Sequence, residues 1–77
     1  MDIPTAQMLI YTELESAKKR YKWNGKDQVH QVAIMVEEAG EALREANSLL
    51  EGHGSQGRLE VELIQTGAMV LRCLENL

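Results

Sequence analysis

A chain of 77 residues carrying a net charge of −4 and 44 % hydrophobic residues has the length of one small domain and too much apolar content to be disordered. The acidic balance excludes a general nucleic-acid surface, which is basic, and no apolar run approaches the roughly 20 residues of a membrane span. Cys73 is the only cysteine, so no disulfide forms within the chain. A chain this short buries only about 60 % of its unfolded surface, so oligomerisation or a bound metal is expected to complete the fold. The start MDIPTAQ has neither the basic head nor the apolar stretch of a secretory signal. A cytoplasmic location is expected, where a free thiol is stable.

One Pro, no Phe and abundant Ala, Leu, Glu and Gln favour helix over strand. The first helix begins near Pro4, which suits an initial helical position, with Asp2 or Ile3 just before it. Ile3, Ile10, Leu14, Ala17 and Tyr21 recur at helical spacing, and Lys18, Lys19 and Arg20 suit its C-terminal end. Asn24-Gly25 marks the first break. Asp27 is a good N-cap for a second helix from Gln28 to about Leu50, with a main stripe of Val29, Val32, Val36, Gly40, Leu43 and Leu50. Three glycines between Gly52 and Gly57 interrupt it, and a third helix runs from about Arg58 to Glu75. The expectation is one all-α domain over residues 1–77.

The third helix is apolar around most of its circumference, through Leu59, Leu63, Ile64, Gly67, Ala68, Val70, Leu71 and Leu74. Such a helix is buried on several sides. One small protomer can hardly surround it, so a second copy is expected to pack its helices two and three into a four-helix-bundle core. The partner implied is self, as a dimer or tetramer.

At about 100° per residue, the second helix presents a further stripe of Ile34, Glu38, Glu41 and Glu45 opposite the main apolar one. The third helix groups Glu62, Gln65, Met69 and Arg72. Residues three apart share a face, so Glu38 with Glu41, and Glu62 with Gln65, each form a two-pronged fork. Buried carboxylates are costly unless paired. A divalent cation between the forks would offset that cost in an all-oxygen site suited to magnesium or manganese. The plain alternative is a solvated acidic face. Glu37 lies off the stripe, solvated or paired with Arg44, and Glu45 reaches Arg44 or Lys26 or faces water.

At these residues the chain resembles the all-α nucleoside triphosphate pyrophosphohydrolase superfamily, which includes MazG, dimeric dUTPases, dCTP pyrophosphatases and phosphoribosyl-ATP pyrophosphatase. The family pattern is EExxE, a variable gap, then ExxD. Glu37-Glu38-Ala39-Gly40-Glu41 matches the first part, and after twenty residues Glu62-Leu63-Ile64-Gln65 takes the second place. The resemblance spans roughly Trp23 to Leu74. It implies that Glu38, Glu41 and Glu62 ligate magnesium and that a nucleoside triphosphate is cleaved to monophosphate and pyrophosphate; Glu37 and Glu45 are the further carboxylates that could orient the attacking water. Clearing surplus or non-standard nucleotides is the role implied. Gln65 departs from the pattern, where Asp is usual. Its amide oxygen can serve as a weaker fourth ligand in a three-acid site; the other readings are an altered metal number or a degenerate copy acting only as a helical interaction module.

Trp23, flanked by Lys22 and Lys26, stands where the family often contacts base or phosphate. The indole either stacks on a base, with the lysines on phosphate oxygens, or plugs the bundle end beside solvated lysines. Arg72 either reaches the triphosphate or forms a salt bridge to a neighbouring Glu. His30 receives no role, and His53 sits in a plain connector that lacks a phosphate-loop pattern. Met8, Met35 and Met69 read as core filler, and Cys73 as a buried small hydrophobe.

Overall fold

A computed structural model describes residues 1–23 and 25–77 as three helices: α1 (Ile3–Arg20), α2 (Gln28–Leu50) and α3 (Gln56–Glu75). Asn24 of the expected Asn-Gly turn lies outside the described residues; its neighbour Gly25 has φ +78°, the left-handed conformation that glycine tolerates without steric cost. Each helix begins where a short polar side chain satisfies a free backbone donor. Asp2 accepts from the Thr5 amide at 2.9 Å, Asp27 from His30 at 2.7 Å and Ser55 from Arg58 at 3.1 Å. The Ser55 cap starts α3 two residues earlier than its apolar periodicity indicates, so Gly57 falls inside the first turn.

The end of α2 is equally local in origin. Gly52 has φ +86° and donates to Leu49 O at 3.1 Å, while His53 donates to Ser48 O at 2.7 Å. That nested pair is the Schellman arrangement, which needs a left-handed residue just past the cap. Gly54, φ +73°, completes the reversal into α3.

In the tertiary arrangement α3 packs against both other helices, while α1 and α2 do not pack on each other. Leu14, Ala17, Ala68 and Met69 form the buried cluster, with Ile10, Trp23, Ile34 and Met35 against it. Gly67 lets α1 approach: a Cβ there would lie 3.0 Å from Ile10 Cδ1. Met69 and Met35 fill the core as expected, whereas Met8 is exposed, on the part of α1 turned away from α3.

The two faces of α2 differ in what the single chain covers. The stripe of Val29, Val32, Val36, Leu43 and Leu50 faces outward, 45–87 % exposed. Ile34, Met35, Glu38, Glu41, Ala42 and Glu45 are among those covered in whole or part. The reason is geometric. A helix meets one neighbour along one face, and α2 packs on α3 but not on α1, so nothing in a single chain remains to cover the valine stripe. The radius of gyration, 13.2 Å, exceeds the about 11–12 Å of a compact chain this long. Among the described residues no large side chain is fully buried, and no helix is long and apolar enough to cross a membrane.

Candidate metal centre and adjoining pocket

The i, i+3 spacing on α2 stacks Glu38 and Glu41 on the face turned to α3, and the same spacing on α3 does so for Glu62 and Gln65. The packing of α2 on α3 brings the two forks together. One carboxylate oxygen each from Glu38, Glu41 and Glu62 lie within 4.8 Å of one another, and all three residues are half-buried. Glu37 is exposed, off the cluster. Glu45, one turn beyond Glu41, is half-buried on the same side.

Crowding shows in the protonation equilibria. Burial first, and then the charges of Glu41, Glu37 and Glu13, push the Glu38 carboxyl above its ordinary range. Burial also raises Glu62, followed by a hydrogen bond with Glu41 and the charges of Glu41, Glu38 and Glu45. Withdrawal from water and like-charge repulsion act in the same direction, both penalising the anion. Gln65 eases the strain: with its amide oriented to suit these neighbours, its nitrogen donates to Glu62 Oε2 and Glu38 Oε2, each at 3.2 Å.

Beside the acids opens a pocket of about 480 Å³, within the range of small-molecule sites. Glu38 and Gln65 line it together with Trp23, Lys22, Lys26, Arg72, Ile34 and Met69. Of the acid forks, Glu38 and Gln65 thus share this cavity with the α1–α2 loop residues and Arg72. Glu41 and Glu62 meet Glu38 in the adjoining cluster, and Glu37 and Glu45 are outside the lining. Lys22 is exposed and Lys26 half-buried, its Nζ 3.5 Å from Lys22 O. Trp23 is half-buried and packed on the core cluster.

Arg72 is buried, at 5 % exposure. Its Nη1 donates to Ala17 O at 3.3 Å and its Nη2 to Tyr21 O, and the guanidinium carbon lies 4.4 Å from the centre of the Trp23 ring. Among the described residues it forms no salt bridge. Burial lowers its pKa, from a value so high that it stays charged. His30 and His53 are exposed, and burial pushes the half-buried Cys73 thiol up, which makes it less reactive.

Three residues of this region carry no expectation of a site role from the sequence. Gln31 is buried and donates to Lys26 O at 2.9 Å; its position one helical repeat before Glu38 was the available signal. Glu13 and Arg20 both line the pocket and are paired, with oxygen–nitrogen distances of 2.9 and 3.1 Å. Seven residues apart, they lie two turns along one face of α1. No protein-family model, curated protein or solved structure gives a significant match to this chain.

Proposed function

We propose that the chain is a magnesium-dependent nucleoside triphosphate pyrophosphohydrolase, acting as a homo-oligomer and related to the MazG-like enzymes that its acid pattern resembles. The observation that carries this reading is the meeting of three half-buried carboxylates from two helices, within 4.8 Å of one another, beside a pocket with an indole and two lysines. The donor set fits a hard divalent cation: all oxygen, anionic, and crowded enough that Glu38 and Glu62 bind protons more tightly than usual. Glu38, Glu41 and Glu62 are the ligands, with the Gln65 amide oxygen available after a turn of its side chain. Manganese suits the same donors.

When bound, magnesium neutralises phosphate charge and makes water a better nucleophile at neutral pH. The chain supplies the rest. Lys22 and Lys26 attract the triphosphate, and Trp23 offers an aromatic surface to the base. Of the carboxylates available to orient the attacking water, Glu45 is half-buried and near enough to raise Glu62. Water then adds across the α–β phosphoanhydride, and nucleoside monophosphate and pyrophosphate leave.

Self-association rests on the outward apolar faces. Val36 and Leu43 of α2 and Leu71 and Leu74 of α3 are 39–63 % exposed, and a shallow apolar groove of about 230 Å³ runs between these helices. A second copy packed on that face would place two α2–α3 pairs in a four-helix core.

One observation favours a second reading. Gln65 already donates to two of the acids, so the cluster is partly satisfied without a cation, as a non-catalytic helical interaction module would need. A pyrophosphate-release screen over ribo- and deoxyribonucleoside triphosphates with magnesium separates the two. Turnover that is lost in Glu38→Gln and Glu41→Gln is expected, together with a magnesium-dependent rise in melting temperature. Turnover surviving both substitutions would remove the site, and absence of both turnover and thermal shift would leave the interaction module.

A further inference from the structure

The described residues contain two buried polar side chains, Gln31 on α2 and Arg72 on α3. Both spend their hydrogen bonds on the backbone that joins α1 to α2. Arg72 donates to Ala17 O in the last turn of α1 and to Tyr21 O just beyond it. Gln31 donates to Lys26 O at the far end of the connection. Between these anchors stands Trp23, whose carbonyl accepts from the Lys26 amide at 3.2 Å and whose ring lies under the Arg72 guanidinium.

A buried guanidinium without a carboxylate partner is costly and persists only where its donors are satisfied. Here the planar fork reaches two carbonyls while its face lies over an indole, an arrangement open to arginine and closed to the compact ammonium of lysine. Burial and prior engagement leave Arg72 poorly placed to meet a phosphate. They place it well to hold the pocket wall.

We propose that Arg72 is a positioning residue that sets the place of Trp23 in the substrate pocket, with Gln31 holding the other end of the same loop, and that it makes no phosphate contact of its own. One face of the indole is occupied by the guanidinium, so a bound base meets the opposite face or an edge. The inference deepens the pyrophosphohydrolase reading and depends on it for its kinetic consequence alone.

Trp23 is the only tryptophan, so its emission reports this arrangement in the full chain without substrate. Arg72→Lys, Arg72→Gln and Gln31→Leu would be compared with the parent, each checked for helix content by circular dichroism. Red-shifted emission and greater acrylamide quenching are expected in all three, with the magnesium-dependent thermal shift retained. In turnover, a loss of Trp23 positioning should raise KM roughly ten-fold with kcat little changed, and Arg72→Lys should fail to restore KM. A phosphate-contacting arginine behaves otherwise: emission stays unchanged and Arg72→Lys recovers most of the affinity. Either of those results overturns the proposal. Should Arg72→Gln fail to fold, the other two variants decide. A parent without turnover would sink the enzymatic reading while leaving the emission test to judge the role of Arg72.

Discussion

Glu38 and Glu62 have their pKa values raised by burial and by acidic neighbours, and the sign of the consequence is fixed. A carboxyl that binds its proton more tightly when folded makes the folded state the greater proton binder between the unfolded and folded pKa values. Stability from such a group is therefore lost as pH rises through that window, above the ordinary value of 4.5. Melting curves of the metal-free protein should show a larger drop from pH 5 to pH 7 in the parent than in Glu62→Gln. An equal drop in both would mean that the crowding is not felt. The two outlying acids separate in the same way. Glu45→Gln should lower kcat by about 10²-fold, at the lower end for a positioned base, whereas exposed Glu37→Gln should leave kcat nearly unchanged. Steady-state pyrophosphate release checks both, and the reverse order would reassign the water-orienting carboxylate.

The helices owe their limits to interactions within a few residues. Asp27 is the clearest case, since its carboxylate caps α2 and α2 carries the first acid fork. Asp27→Ala should cost about 1 kcal/mol, read from chemical denaturation, and Asp27→Asn should recover most of it. The α2–α3 turn rests on Gly52, whose φ of +86° is strained for any side chain. Gly52→Ala should cost about 1–2 kcal/mol, although a Cβ there meets nothing within 4 Å. A neutral result would show that the turn has another conformation to adopt. The distinction matters because this turn determines how the second fork comes back to the first.

At the scale of the molecule, the single chain leaves much apolar surface uncovered. Among the described residues its buried cluster holds Leu14, Ala17, Ala68 and Met69, while large apolar side chains on α2 and α3 face outward. Burying a leucine side chain contributes about 1.5–3 kcal/mol, so covering this face is the largest stabilisation still open to the chain. Leu43→Glu, a change 63 % exposed in the single chain, should cost little in an isolated protomer. In the proposed oligomer it should lower the melting temperature and shift the sedimentation velocity distribution to monomer. An unchanged oligomer would move the interface away from this face of α2.

Much of this protein was legible in local sequence. Helix capping, left-handed glycines and apolar periodicity act over one or two turns, so the three helices, the Asp27 cap and the break at Gly52 follow from residues near one another in the chain. The forks are equally local, since a spacing of three places Glu38 with Glu41 and Glu62 with Gln65 on shared faces. What lay beyond reach was orientation. α2 has two faces of plausible burial, and only docking on α3 decides that the acid stripe turns inward and the valine stripe outward. The same docking carries Glu38, Glu41 and Glu62 to within 4.8 Å and leaves Glu37 outside. It also turns Arg72 to backbone carbonyls at Ala17 and Tyr21, far along the chain. A backbone carbonyl carries no signature in the sequence, so a side chain that satisfies one at long range is visible only once the helices are packed.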